Sequence, residues 1–136
     1  MRHTFLLSIC LSAATLSATA SADDQRFSTT GLNGSVYELL RLHGNDAQPI
    51  ASLLISRSDG GATLMDMMVD CASGQYAYLA MDHSPAQPVS DADLNTLAQH
   101  SHSIVADNLR PLALTPITDD PYDAPMAALN DLVCGR

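Results

Sequence analysis

The fold of this chain is decided by one stretch, Ala62-Thr-Leu-Met-Asp-Met-Met-Val-Asp-Cys71. Successive side chains of a β-strand point to opposite faces of a sheet. As a strand, this stretch has one apolar face, formed by Met65, Met67, Val69 and Cys71. The opposite face carries Leu64, Asp66, Met68 and Asp70. We therefore predict a strand at residues 62–71, whose cysteine lies on a face that another element covers.

Three further stretches, at residues 35–43, 48–57 and 75–82, have the same strand character. The turns between the four stretches are short and polar, and each contains glycine, which tolerates a positive φ. Short turns between apolar strands predict an antiparallel meander of at least four strands. In the last stretch, alternation predicts two sets of side chains on opposite faces: Tyr76, Tyr78 and Ala80, and Ala77, Leu79 and Met81.

The periodicity changes after the last strand. Ser90 followed by Asp93 has the form of a capping box, with Asp in place of the usual Glu. Apolar side chains then recur at three- and four-residue spacing until Pro111. This pattern predicts one amphipathic helix over residues 91–109.

The C-terminal part combines an extended connection with a short helix. Residues 112–122 contain two prolines and are typical of a connection without regular structure. A second helix is predicted from about Asp123 to Cys134, with Pro125 in its first turn. Together, these elements predict an α+β domain. Its antiparallel meander is covered on one face by the long helix and by the short C-terminal helix.

The first 22 residues have the pattern of a cleavable secretory signal. A short basic region precedes an apolar stretch, and two A-x-A arrangements place cleavage after Ala22 or after Ala20. About a dozen apolar residues are too few to cross a bilayer, which needs roughly 20. We therefore predict an exported protein of the bacterial periplasm or cell surface, without stable membrane insertion. Residues 23–34 are predicted to be a flexible lead-in to a single domain at residues 35–136.

Cleavage removes Cys10 and leaves two cysteines, Cys71 and Cys134. In an oxidising compartment, two cysteines in one small domain most simply form a disulfide. A bridge that closes a loop of about 64 residues stabilises the folded state by roughly 4 kcal/mol. Redox catalysis fits less well, because there is no C-x-x-C motif and Asp70 beside Cys71 disfavours a thiolate. We predict a structural disulfide that ties the short C-terminal helix to the sheet.

The chain is acidic, with 15 Asp and Glu against 6 Lys and Arg and a formal net charge of −9. Such a surface repels phosphate backbones and anionic membranes. The charge therefore argues against nucleic-acid binding and is compatible with a basic protein partner. The same composition is also typical of exported proteins that are acidic for solubility.

The sequence contains no G-x-S-x-G, H-E-x-x-H or phosphate-loop motif. His100 and His102 would lie about 200° apart on a helix, so they cannot bind one ion together. Thioethers that suit Cu(I) are present at Met65, Met67, Met68 and Met81. Strand alternation turns Met68 away from its neighbours, and core filling is the simpler interpretation. We therefore predict no catalysis, no metal and no cofactor.

Two segments form a pattern beyond their secondary structure. Residues 68–76 combine a strand that ends in Asp70-Cys71 with a following aromatic strand, and residues 129–134 end the chain's last helix on Cys134. Together they resemble the surface-adhesin protein E family. The resemblance implies an exported protein in which one disulfide ties a C-terminal helix to a concave antiparallel sheet. It also implies an adhesin that binds host matrix and serum proteins and can form a homodimer.

The expected function is non-catalytic protein binding of the adhesin type, with Tyr76 and Tyr78 as hypothesised contact residues. A second interpretation is a periplasmic inhibitor or immunity protein that blocks a basic cell-wall-attacking enzyme. Its contacts would be carboxylates, at Asp91, Asp93, Asp119, Asp120 and Asp123. A third interpretation is a periplasmic Cu(I)-binding protein that uses the methionine cluster. The sequence leaves the identity of the partner open.

Overall fold

The computed structural model describes residues 27–107 and 113–135 of the chain. Within these residues the strands are β1 Ser28–Thr30, β2 Val36–Gly44, β3 Pro49–Ser56, β4 Ala62–Asp70, β5 Gln75–Asp82 and β6 Thr115–Pro116. The helices are α1 Asp91–Ala106 and α2 Ala124–Cys134, and a 3-10 turn at Pro121–Asp123 leads into α2. The predicted signal at residues 1–22 and the predicted end of the long helix at Leu109 lie outside the described residues.

The strands form one antiparallel sheet in the order β1-β2-β3-β4-β5-β6, in which each strand pairs with its neighbours in sequence. The predicted meander and the α+β fold class are confirmed. The four predicted strands match β2 to β5 to within one residue at each end. The turns also agree, because Gly60 and Gly74 adopt φ values of +89° and +66°, which residues with a side chain rarely adopt.

Two edge strands were not predicted. β1 forms inside the predicted lead-in at residues 23–34 and pairs with β2, and β6 forms inside the predicted connection at residues 112–122 and pairs with the start of β5. Both strands are short, at three and two residues, and most of their side chains are exposed. Neither one therefore carries the alternating apolar pattern by which strands are recognised in a sequence.

Alternate residues of β4 pack against different helices. Met65, Met67 and Val69 cluster with α2 residues Met126, Leu129 and Val133. Leu64 clusters instead with α1 residues Leu94 and Leu97. Since neighbouring strand residues point to opposite faces, the helices lie on opposite faces of the sheet. We call these the α2 face and the α1 face.

The prediction that both helices cover one face is therefore wrong. The physical reason lies in β4, in which every residue from Thr63 to Val69 is buried. A strand with apolar residues on both sides needs cover on both sides. Two helices on one face would have left Leu64 and Met68 in water.

A β-bulge in β2 changes the face on which the end of that strand lies. The register with β3 shifts between Leu39 and Arg41, so Leu40 has no partner. A shift of one residue moves every following side chain to the other face. Arg41 and His43 consequently lie on the α1 face, where Arg41 pairs with Ser52 and His43 pairs with Ile50.

A second β-bulge lies in β5. Tyr78 pairs with Met67 and Ala80 pairs with Asp66, which leaves Leu79 without a partner. The alternation predicted for this strand holds as far as Leu79, which clusters with Ala77 on the α1 face, and is wrong for Ala80 and Met81. Met81, which pairs with Met65, shares the α2 face with Tyr78 instead of lying opposite to it.

The predicted start of α1 is confirmed by its cap. Ser90 Oγ accepts a hydrogen bond from the Asp93 backbone N–H at 3.1 Å, and the Asp93 carboxylate accepts one from the Ser90 N–H at 3.2 Å. This reciprocal pair is a capping box. The first turn of α1 lies beside β2, where the Arg41 guanidinium donates to Asn95 Oδ1 at 2.6 Å.

Candidate functional site

The predicted disulfide between Cys71 and Cys134 is confirmed, with Cα atoms 5.4 Å apart. Cys71 directly follows β4, and Cys134 is the last residue of α2. α2 has only 11 residues and no side-chain hydrogen bond at its N-cap. A helix of this length is marginal alone, so packing and the disulfide hold it in place.

The two tyrosines predicted to contact a partner differ in exposure. Tyr76 is buried at 7% exposure, and Tyr78 is 49% exposed. Their rings meet edge to face with centroids 5.4 Å apart. Met81 is also 45% exposed on the same face. We call Tyr78 and Met81 the β5 patch, while Tyr76 supports Tyr78 from within the core.

The hydroxyl of Tyr78 is held in its protonated form. Burial, a hydrogen bond with Tyr76 and the nearby charge of Asp123 raise the pKa of Tyr78 to about 12. The side chain therefore offers a neutral phenol at any physiological pH. Such a group combines an apolar ring with a hydrogen-bonding tip, which suits a contact surface.

Part of the backbone beside the β5 patch has no strand partner on one side within residues 27–107 and 113–135. β6 pairs only with Gln75 and Tyr76. Along residues 77–82, no further strand of the described chain pairs with β5 on that side. An edge of this kind exposes N–H and C=O groups that can pair with another chain.

Four of the five carboxylates considered for an inhibitor surface have partners within the chain. Asp120 accepts a hydrogen bond from the Tyr122 N–H at 2.9 Å, and Asp123 accepts from the backbone N–H and the hydroxyl of Thr118 at 2.9 and 2.6 Å. The bonds from Thr118 lower the pKa of Asp123. At the other cluster, Asp91 lies 3.4 Å from Arg41 and its side chain is 95% exposed. These contacts are those of turns and helix starts, which Asp favours without a partner.

The methionines considered for Cu(I) are distributed over both faces. Met65 and Met67 are buried on the α2 face, and Met68 is buried on the α1 face in another cluster. Met81 is the one of these four that is largely exposed. This distribution agrees with the interpretation of the cluster as core filling.

A buried carboxylate on the α1 face was not recognised as part of a site. Asp66, in the middle of β4, is fully buried. Ser52 Oγ of β3 donates to Asp66 Oδ1 at 2.5 Å, and Ser101 Oγ of α1 donates to Asp66 Oδ2 at 2.7 Å. Both serines are fully buried as well. A buried carboxylate needs such donors, because an unpaired one is very costly in a core.

His43 connects this carboxylate to the surface. Its Nε2 lies 3.1 Å from Asp66 Oδ2, and its Nδ1 lies 3.3 Å from His102 Nε2. The His43 side chain is 15% exposed, whereas His102 is exposed. We call Asp66, Ser52, Ser101, His43 and His102 the Asp66 network.

The proton positions of the Asp66 network follow from its geometry. Burial lowers the pKa of His43, with Asp66 opposing the effect and His102 and Arg41 adding to it. A neutral His43 carries its proton on one nitrogen only. The carboxylate is the stronger acceptor, so Nε2–H donates to Asp66, and the lone pair of Nδ1 faces His102.

From the sequence, His102 was considered together with His100, whereas in the structure His102 lies next to His43. His100 lies at a cleft of about 370 Å³ between α1 and the end of β5, which is also lined by Asp82 and His83. His102 lies on the side of α1 that faces β2, against His43. The sequence contains one signal of this network, which is Asp66, a single carboxylate within an otherwise apolar strand. Its partners could not be found from spacing, because the bulge at Leu40 decides which face His43 occupies.

In residues 27–107 and 113–135, no helix is both long and apolar enough to span a bilayer. In the same part of the chain, no group of three or more His, Cys, Asp or Glu side chains is arranged to hold a metal ion.

Comparison of the chain with protein-family models, with curated proteins and with solved structures finds no match.

Proposed function

We propose that this chain is an exported, non-catalytic protein-binding module of the adhesin type, in the periplasm or at the cell surface. The observation that carries the proposal is the β5 patch. Tyr78 and Met81 are each about half exposed, at 49% and 45%, on one face of a single strand. Adjacent large apolar side chains in this position favour an interface, in which Tyr and Met are both enriched.

Among residues 27–107 and 113–135, no strand pairs with β5 at residues 77–82 on the side of β6, and this edge supports a particular mode of binding. An extended segment of the partner pairs with the backbone of residues 77–82 and so adds a strand to the sheet. Its side chains contact Tyr78 and Met81 on the α2 face. Backbone pairing supplies affinity in this mode, and the two side chains supply specificity.

Charge supports a basic segment as the occupant. The chain carries a formal net charge of −9. Two carboxylates also lie near the β5 patch. Asp82 directly follows Met81, and the charge of Asp123 acts on Tyr78. Complementary charge speeds the encounter of two proteins and disfavours acidic competitors.

The buried serines favour a non-catalytic role. Ser52 and Ser101 donate to the Asp66 carboxylate rather than to His43, and both hydroxyls are fully buried. An activated serine nucleophile needs the opposite arrangement, with the histidine accepting from an accessible hydroxyl. Export is supported by the pattern of residues 1–22 and by the disulfide, a bond typical of oxidising compartments.

The test is surface plasmon resonance on the oxidised protein with a panel of immobilised host matrix and serum proteins. The decisive variant is Tyr78→Ser combined with Met81→Ser. Tyr122→Ser is the matched control, because Tyr122 is 71% exposed outside the strand. We expect saturable binding to at least one panel member, weakened tenfold or more by the double variant and retained by the control.

Two results would contradict the proposal. Equal binding by the wild type and the double variant would remove the β5 patch from the interface. Absence of binding to the whole panel, together with salt-sensitive inhibition of lysozyme as a basic cell-wall enzyme, would favour the inhibitor interpretation instead.

A further inference from the structure

The spacing of two ring nitrogens on the α1 face matches that of two ligands of one ion. His43 Nδ1 and His102 Nε2 lie 3.3 Å apart. Zinc binds histidine nitrogen at about 2.0–2.1 Å with tetrahedral geometry, which places two bound nitrogens about 3.3–3.4 Å from each other. We propose that His43 and His102 form a two-histidine site for a divalent transition metal such as Zn(II), with the remaining positions open to solvent or to a ligand.

The hydrogen bond of His43 to Asp66 has the orientation expected beside such a site. A metal-bound histidine commonly donates its other ring N–H to a carboxylate, which fixes the ring and makes the bound nitrogen more basic. Here the Nε2 of His43 lies 3.1 Å from Asp66 Oδ2. The nitrogen that remains for the metal is Nδ1, the one that faces His102.

The support beneath His43 is rigid. Asp66 is fully buried and is fixed by hydroxyls from two different elements, Ser52 on β3 and Ser101 on α1. A preorganised ligand loses little freedom on binding, so positioning of this kind raises affinity. Asp66 thus acts as a positioning residue that does not itself contact the ion.

The outer side of the site is open and its charge is favourable. His102 is exposed, so an ion can reach it from solvent. Among the described residues, the cation that acts on His43 is Arg41, whose guanidinium contacts Asn95 at 2.6 Å and Asp91 at 3.4 Å. Because the described residues contribute only two ligands, binding is exchangeable, unlike that of a closed four-ligand structural site.

The two imidazole ligands determine which metal ions the site prefers. They suit Zn, Cu and Ni, while the thioethers of the methionine cluster would select Cu(I). Tetrahedral spacing favours Zn(II), and Co(II) is a suitable coloured substitute. The site is independent of the proposed protein binding, because it lies on the α1 face and the β5 patch lies on the α2 face.

The experiment is a titration of the untagged, oxidised protein with Co(II), followed by its visible absorption and then by displacement with Zn(II). His102→Ala removes one ligand at an exposed position, so the variant should fold. His100→Ala is the matched control, two residues away on the same helix but at the cleft beside β5. We expect one saturable site in the wild type and in His100→Ala, and at least tenfold weaker binding in His102→Ala.

The role of Asp66 needs a separate readout. Asp66→Asn should weaken binding by about 10–100-fold while keeping one ion per chain and an unchanged cobalt spectrum. If circular dichroism shows that this variant does not fold, Ser101→Ala, which removes one support of the carboxylate, should weaken binding in the same direction. Equal cobalt affinity in wild type, His102→Ala and His100→Ala would overturn the proposal, as would the lack of any saturable site in the wild type.

Discussion

On the α2 face, apolar side chains of a helix meet a sheet surface of Ala, Leu, Met and Val, and a disulfide closes one end. On the α1 face, a helix covers a carboxylate, two serines and a histidine as well as apolar residues. The stability of the first arrangement comes mainly from apolar area removed from water, and this term is nearly independent of side-chain orientation. The second depends on distances and angles between a few donors and one acceptor. The polar network thus constrains how α1 is placed, whereas the position of α2 depends on apolar burial and on the disulfide.

The largest expected effect comes from the disulfide of the α2 face. The bridge joins residues 63 positions apart, so its removal by Cys71→Ser and Cys134→Ser should lower the free energy of unfolding by about 4 kcal/mol. Urea unfolding followed by circular dichroism measures this loss. Reductant should destabilise the wild type in the same way and leave the double variant unchanged. Equal midpoints in the wild type with and without reductant would contradict the prediction.

The next largest effect should come from the apolar contact of α2. Leu129 is 1% exposed in the centre of the cluster, and Leu129→Ala should cost about 3 kcal/mol through lost burial and the cavity left behind. Leu32, 61% exposed, provides the matched control, and Leu32→Ala should change the unfolding midpoint very little. Similar losses in both variants would mean that α2 is not packed as described.

On the α1 face, one hydrogen bond can be removed with little change in shape. Ser101→Ala leaves the Asp66 carboxylate with Ser52 and His43 as its donors, and should cost about 1–2 kcal/mol, because bonds to charged groups are stronger than average. Ser103→Ala, at an exposed position of the same helix, is the control and should be nearly neutral. A neutral Ser101→Ala would show that the Asp66 network contributes no stability.

The smallest effect concerns the one strongly shifted phenol of the α2 face. Tyr78 has a folded pKa of about 12, above the ordinary value of about 10. Between these two values the unfolded chain loses the Tyr78 proton while the folded chain keeps it. The stabilisation of the fold by the protonated phenol is therefore complete below pH about 10, and it is lost as the pH rises to about 12. Burial also raises the pKa of Tyr37, so absorbance titration at alkaline pH should show a late step whose amplitude falls by one phenol in Tyr78→Phe and is unchanged in Tyr122→Phe. A late step of full amplitude in Tyr78→Phe would contradict the assignment.

Much of the fold could be predicted because its signals are local. The alternation of β4, the glycine turns and the capping box at Ser90 each depend on residues close together in sequence. The pairing of Cys71 with Cys134 needed only a count of cysteines and a compartment. β1 and β6 could not be predicted, because strands of three and two residues contain no periodicity.

The candidate sites were much less accessible to sequence reasoning. Tyr78 was named, but its neighbour Met81 was assigned to the opposite face. His102 was considered only with His100, and neither His43 nor Asp66 was named as a site residue. Both errors have one cause, a β-bulge that shifts the alternation by one residue, at Leu79 in β5 and at Leu40 in β2.

The sequence by itself therefore determined the four longer strands, both helices, their order, the glycine turns and the disulfide, since each of these follows from residues near one another or from composition. Only the tertiary structure decided that the helices lie on opposite faces and which side chains meet there. The physical reason is that a strand repeats every two residues, so a single bulged residue reverses every later assignment. Such a bulge is stabilised by the packing of neighbouring strands and helices, and a pattern read along one strand does not contain that information.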